Sequence, residues 1–119
     1  SSIYSRGSVS ASGLLTVDTL TIGATYNNTS FNFDDNTFTN NNKAFSITTT
    51  LPDISAGTYC SDTTVTNSSV TTNSVIIASA NREVSVVCHS IAAESFKFRV
   101  TGFESDFQEA STRINFIIL

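Results

Sequence analysis

A chain of 119 residues fits one domain and buries a modest core, so no second domain is required. Only 13% of its residues are charged, and solubility rests on the hydroxyls and amides of abundant Ser, Thr and Asn, a habit of extracellular and virion-surface β proteins. The net charge of −4 and the scatter of six Lys and Arg from Arg6 to Arg113 leave no clustered cationic face for phosphate, which speaks against a nucleic-acid partner.

The chain opens on Ser1-Ser2-Ile3-Tyr4 with neither Met nor a signal-peptide core, as expected of a processed protein or one piece of a longer polypeptide. No apolar run approaches the roughly 18 residues of a membrane-spanning helix, so membrane insertion is not expected. Residues 1–22, rich in Ser and Gly, read either as an extended, stalk-like segment or as the first strands of a head domain occupying 23–119. Leu15 and Val17 alternate in one phase, and Leu20, Ile22 and Ala24, the last of them just past that stretch, in the other. The phase change near Asp18 predicts a bulge, a turn or a change of partner.

Alternation dominates the rest of the chain and helical spacing never lasts beyond a turn or two, so helix should be nearly absent. Phe31 and Phe33 form one alternating pair. Phe45, Ile47, Thr49 and Leu51 form another, stopped by Pro52. Between them Asp34-Asp35-Asn36 and Asn40-Asn41-Asn42 carry turn chemistry, because Asx side chains bond their own backbone and tolerate left-handed conformations. Further strands are expected at Thr63 to Val65, Ser74 to Ala78, Val84 to His89, Phe96 to Thr101 and Arg113 to Leu119. Phe96, Phe98 and Val100 face one way and Lys97, Arg99 and Thr101 the other, the signature of a half-solvated antiparallel strand. Turn signals recur every eight to twelve residues. The fold class is therefore all-β, an antiparallel β-sandwich of about seven to nine short strands, jelly-roll-like.

Chemical sites are sparsely signalled. Cys60 and Cys88, the two cysteines, permit either one disulfide or two buried thiols. His89 is the single histidine, so one chain cannot build a His-based metal cluster, and Cys88 beside it should face the opposite side of a strand. A hydrogen-bonded edge histidine is the favoured reading over three copies gathered on a threefold axis. No nucleophile elbow surrounds a serine or Cys88, and no enzyme activity or catalytic residue is expected. Asp34 with Asp35, and Glu104 with Asp106 and Glu109, are hard-oxygen groups without calcium-loop spacing, better read as surface solvation. No cofactor or metal is therefore expected. Asn27-Asn28-Thr29-Ser30 holds two overlapping glycosylation tripeptides and Asn67-Ser68-Ser69 a third. Tyr4, Tyr26 and Tyr59 offer stacking surface for sugar, although tyrosines so widely spread are more often rim or core residues.

From Leu51 onward the chain shows Ile54-Ser55-Ala56-Gly57-Thr58, then Thr63-Thr64-Val65-Thr66, Asn73-Ser74-Val75-Ile76-Ile77-Ala78, Val84-Ser85-Val86-Val87, Phe96-Lys97-Phe98-Arg99-Val100 and a terminal Arg113-Ile114-Asn115-Phe116-Ile117-Ile118. This succession of strands and turns resembles the C-terminal head domain of bacteriophage and related viral fibre proteins. The resemblance implies a β-sandwich knob on the virion surface, most often a homotrimer, that recognises a host surface or caps the fibre shaft. A trimer axis would bury both faces of the closing strand Ile114, Phe116, Ile117, Ile118 and Leu119. Without the resemblance, a central strand of a monomer is the favoured reading of those residues.

The expected function is attachment to a host glycan or protein receptor through loops at one end of the sandwich, since binding concentrates on loops held by a rigid scaffold. The candidate contact residues are Asn27, Asn28, Thr29, Asn41, Lys43, Arg82, Glu104 and Asp106. The rival reading is a self-assembling surface module, extracellular or on a capsid, in which Ser1 to Gly23 is donated as a strand to a neighbour.

Overall fold

The computed structural model describes Ser12, Gly13 and residues 27–119. Among the described residues there is no α-helix; eight strands form two four-stranded sheets that pack face to face as an all-β sandwich. The strands are β1 (Asn27–Ser30), β2 (Thr37–Thr39), β3 (Ala44–Leu51), β4 (Thr63–Thr66), β5 (Ile76–Ala80), β6 (Val84–Ala92), β7 (Ser95–Gly102) and β8 (Ala110–Ile118). The first sheet runs β1-β3-β8-β5 and the second β2-β4-β7-β6.

Period-two alternation decides which side chains meet between the sheets. Phe45, Ile47, Thr49 and Leu51 of β3 point inward with Ile114, Phe116 and Ile118 of β8, against Val65 of β4 and Phe96, Phe98 and Val100 of β7. The aromatic rings interlock across the gap. Phe116 lies 5.1 Å from Phe45, 5.1 Å from Phe98 and 5.7 Å from Phe96, within the range where rings attract edge to face or offset. Phe38 of β2 extends the cluster toward Phe31 at 4.8 Å.

The sandwich is not wholly antiparallel. β1 pairs parallel with β3, and β2 parallel with β4, each at a sheet edge. Phe31 and Phe33 do not share a strand: Phe31 follows β1 and donates its N–H to the Thr48 carbonyl, whereas Phe33 opens a 3-10 turn spanning Phe33–Asp35. Asx chemistry explains the difference. The Asn32 side chain accepts from the Asp34 N–H at 3.1 Å, and Asn36 ends the turn in the left-handed region at φ 58°. Strand bounds also shift: β5 spans Ile76–Ala80, β6 runs on to Ala92, and β8 starts already at Ala110, with buried Thr112 in the inward position ahead of Ile114.

The closing strand β8 lies between β3 and β5. Its Ile114, Phe116 and Ile118 are buried in the core, whereas Ile117 and Leu119 face outward and are exposed. The stalk-or-strand segment 1–22, the phase change at Asp18 and the Ser1–Gly23 donor strand fall outside the described residues, apart from Ser12 and Gly13.

Candidate binding surfaces at the ends and outer faces of the sandwich

Three chain segments meet at one end of the sandwich: residues 54–58, the β5–β6 turn at 81–83 and the β7–β8 connection at 103–109. Backbone bonds knit them together. Ile54 and Phe107 exchange both N–H···O bonds, at 2.9 and 2.8 Å, and the Gly57 N–H reaches the Phe103 carbonyl at 3.2 Å. Gly57 turns at φ 74°, a left-handed conformation that glycine adopts at no steric cost. The Asp106 carboxylate accepts from the Ala56 N–H at 2.8 Å and so fastens one loop to another. Arg82 lays its guanidinium 5.9 Å from the centre of the Phe107 ring. Between these loops opens a cleft of about 910 Å³ lined by Ala56, Gly57, Glu83, Phe103, Glu104 and Ser105, with Phe103 half exposed at its rim.

Of the eight candidate contact residues, Arg82, Glu104 and Asp106 gather at this end. The others do not join them. Asn27, Asn28 and Thr29 form edge strand β1 in place of a loop, and the Asn28 carboxamide oxygen accepts from Ser46 Oγ at 2.7 Å and Thr48 Oγ1 at 3.2 Å. Asn41 and Lys43 lie at the opposite end, where Asn41 Oδ1 accepts the Ser68 N–H and the Lys43 carbonyl accepts the Ile118 N–H.

That opposite end carries an apolar patch that the sequence reading missed on β5. Ile77 pairs with Ile117 across the ladder, and Val75 exchanges both backbone bonds with Leu119 beyond it. Opposed residues share a face, so Val75, Ile77, Ile117 and Leu119 stand together on the outside of the first sheet, all at least 44% exposed. Farther along the same face, Asn115 Nδ2 donates to Ser79 Oγ at 3.3 Å, so apolar side chains give way to amides and hydroxyls.

On the outside of the second sheet, residues far apart in sequence form one network. Asp62 accepts from Arg99 through both carboxylate oxygens, at 3.0 Å from Nε and 3.3 Å from Nη2, and it bonds His89 Nε2 at 3.1 Å. The other ring nitrogen of His89 is 2.9 Å from Ser90 Oγ, which gives this histidine a fully hydrogen-bonded place on edge strand β6. Arg99 in turn covers the Tyr59 ring, 4.4 Å from its centroid. Desolvation by itself would raise the Asp62 carboxyl, but the hydrogen bonds and positive charge of His89 and Arg99 overcome it and hold the group below its ordinary range. A depressed folded-state value stabilises above the unfolded pKa and is lost as pH falls through the folded one. The melting temperature is therefore expected to fall more steeply below about pH 4 in the native protein than in Asp62→Asn, as thermal unfolding across pH would read.

Cys60 and Cys88 are free thiols. They flank β7 from opposite sides: Cys60 donates its N–H to the Val100 carbonyl on the β4 side, and Cys88 pairs with Phe98 on the β6 side. Two strand spacings, about 10 Å, separate them, beyond the roughly 7 Å that a disulfide spans between Cα atoms. Burial pushes the Cys88 thiol up to about 11 and raises that of Cys60 as well. Both stay protonated near neutral pH and are poor nucleophiles.

Among the described residues no three His, Cys, Asp or Glu gather as metal ligands would. The glycosylation tripeptide at Asn67 is closed to modification, because Asn67 is buried and both ends of its amide are bonded. Comparisons with protein-family models, with curated proteins and with solved structures found no match for the chain.

Proposed function

We propose that this chain is a non-enzymatic attachment domain, the head of a viral or phage fibre, which engages a glycan or protein receptor on the host surface and acts as a homotrimer. The observation that carries the reading is the convergence of segments 54–58, 81–83 and 103–109 around one open cleft, cross-braced by backbone bonds and the Asp106 clamp. Loops fixed on a rigid sandwich present a preorganised surface, which lowers the entropic cost of binding. A half-exposed Phe103 flanked by Arg82, Glu83 and Glu104 supplies an apolar anchor with a charged rim.

The far end supports assembly. Val75, Ile77, Ile117 and Leu119 form an uncharged apolar surface on a chain of net charge −4, so copies that meet there bring no like charges into contact. Assembly at one end leaves the cleft at the other end free for a receptor. The virion location rests on the resemblance of the strand succession from Leu51 onward to fibre heads.

The test is adsorption of the labelled full chain to candidate host cells, read beside its solution mass. The triple variant Arg82→Ala, Phe103→Ala, Glu104→Ala is expected to lose adsorption about tenfold or more, a contact loss of roughly 1.4 kcal/mol, while Asn41→Ala and Lys43→Ala retain it. The mass is expected at three times 12.7 kDa and to fall to one copy in Ile117→Asp. Adsorption indifferent to the triple variant overturns the receptor assignment, and a monomer at every concentration overturns the trimer.

A further inference from the structure

A second cleft, of about 400 Å³, lies on the other side of the 54–58 segment, between the 3-10 turn, the chain after Pro52 and the segment leading into β4. Asp34, Asn36, Asp53, Thr58, Tyr59 and Ser61 are among the side chains that line it. Its volume falls within the range of small-molecule sites, about 300–1,000 Å³. The donors and acceptors are hydroxyls, an amide and two carboxylates, and no Lys or Arg lines it.

Tyr59 gives this cleft its character. The residue is 61% exposed, yet its ring is held in place. A β-bridge to Thr101 fixes its backbone, and Arg99 covers the ring at 4.4 Å. Arg99 is itself clamped by both oxygens of Asp62, which His89 also bonds. An exposed aromatic ring would ordinarily be left free to rotate, so a chain of side chains that fixes it lowers the cost of placing a ligand against it.

We propose that this cleft is a saccharide subsite that takes a neutral pyranose ring. The apolar C–H face of the sugar stacks on Tyr59, and its hydroxyls donate to Asp34 and Asp53 and exchange hydrogen bonds with Asn36, Thr58 and Ser61. The two carboxylates repel acidic sugars, and the Arg99 guanidinium beside Tyr59 is already paired with Asp62, so the site selects against sialic acid, sulfated and phosphorylated rings. The inference deepens the attachment reading and rests on it for its biological sense, while its lining shares no residue with the Phe103 cleft.

The experiment is amide-resolved NMR titration of the full chain with methyl glycosides of glucose, galactose, mannose and N-acetylglucosamine, with N-acetylneuraminic acid alongside. At least one neutral glycoside is expected to give saturable shifts at Asn36, Thr58, Tyr59 and Ser61 with a millimolar Kd, as a shallow single-ring site supports. Tyr59→Ala is expected to weaken it about tenfold or more and Tyr59→Phe to retain it, with melting temperatures showing that both variants fold. Absence of saturable shifts at tens of millimolar, an unchanged Kd in Tyr59→Ala, or tighter binding of N-acetylneuraminic acid would each overturn the proposal. Because the titration uses free sugar and Tyr59, its failure leaves the cell-adsorption result at Phe103 untouched, and the converse also holds.

Discussion

Replacing Phe116 with alanine is expected to cost about 3–5 kcal/mol of stability, the largest single effect foreseen for this chain. The ring is fully buried on the central strand β8 and lies within 5.7 Å of three other rings, one from its own sheet and two from the opposite one. Alanine there loses the transfer free energy of a phenyl group and leaves a void between two sheets whose backbones are locked by ladders on both sides of β8 and β7. Neither sheet closes that gap without breaking register, so little of the cavity term is recovered by collapse. A domain of this size holds only about 5–15 kcal/mol in total, and the substitution removes a large share of it. Chemical denaturation checks this: the midpoint should drop with the slope unchanged. A loss under about 1 kcal/mol would mean that the two sheets do not interlock through this ring.

The same residues show what was legible in the sequence. Phe96-Lys97-Phe98-Arg99-Val100 and Phe45 to Leu51 declared their strands and inward faces, because an antiparallel strand with one wet face must alternate. The core of the sandwich follows from those faces alone. Phe31 and Phe33 misled for a local reason: they have the spacing of a strand, but Asn32 and Asn36 give the backbone hydrogen bonds that a turn offers and a strand does not. Parallel pairing of β1 with β3 and of β2 with β4 leaves no mark on either partner, since alternation is the same in both ladder types.

The candidate surfaces were harder to see because each depends on long-range pairing. Arg82, Glu104 and Asp106 converge only once β5–β6 and β7–β8 turn at the same end. The Asp62–His89–Arg99–Tyr59 network joins residues up to 40 positions apart, and nothing in their spacing links them. Ile77 stands in an apolar run, Val75 to Ala78, that does not by itself say which residues face the core. In the structure, Ile76 takes the inward place on β5 and Ile77 is turned outward beside Ile117. A run of consecutive apolar residues in a half-exposed strand must send one of every two to the surface, so the run alone does not separate core from patch.

The second large effect is expected at a polar residue. Asn67, just after β4, is wholly buried; its Nδ2 donates to the Asn42 carbonyl at 2.7 Å and its Oδ1 accepts the Ser69 N–H at 2.8 Å. Its backbone is engaged as well, the N–H with the Glu94 carbonyl and the carbonyl with the Val70 N–H, so one residue ties the turns at 40–42, 67–70 and 93–94 into a single end. Alanine leaves the Asn42 carbonyl and the Ser69 N–H, both on half-buried residues, without their side-chain partner, at about 1–3 kcal/mol each, and a total loss of about 2–4 kcal/mol is expected. Aspartate is the sharper probe, because it keeps the acceptor for Ser69 but points a second oxygen at the Asn42 carbonyl. Its ionised form is disfavoured there, so its folded-state pKa rises above the unfolded value. Asn67→Asp should therefore destabilise more than alanine at neutral pH and recover as pH falls toward 4, when the protonated acid again donates to Asn42. Denaturation midpoints for both variants at the two pH values decide the matter: equal losses at both would show that Asn67 acts by filling space and not by its hydrogen bonds.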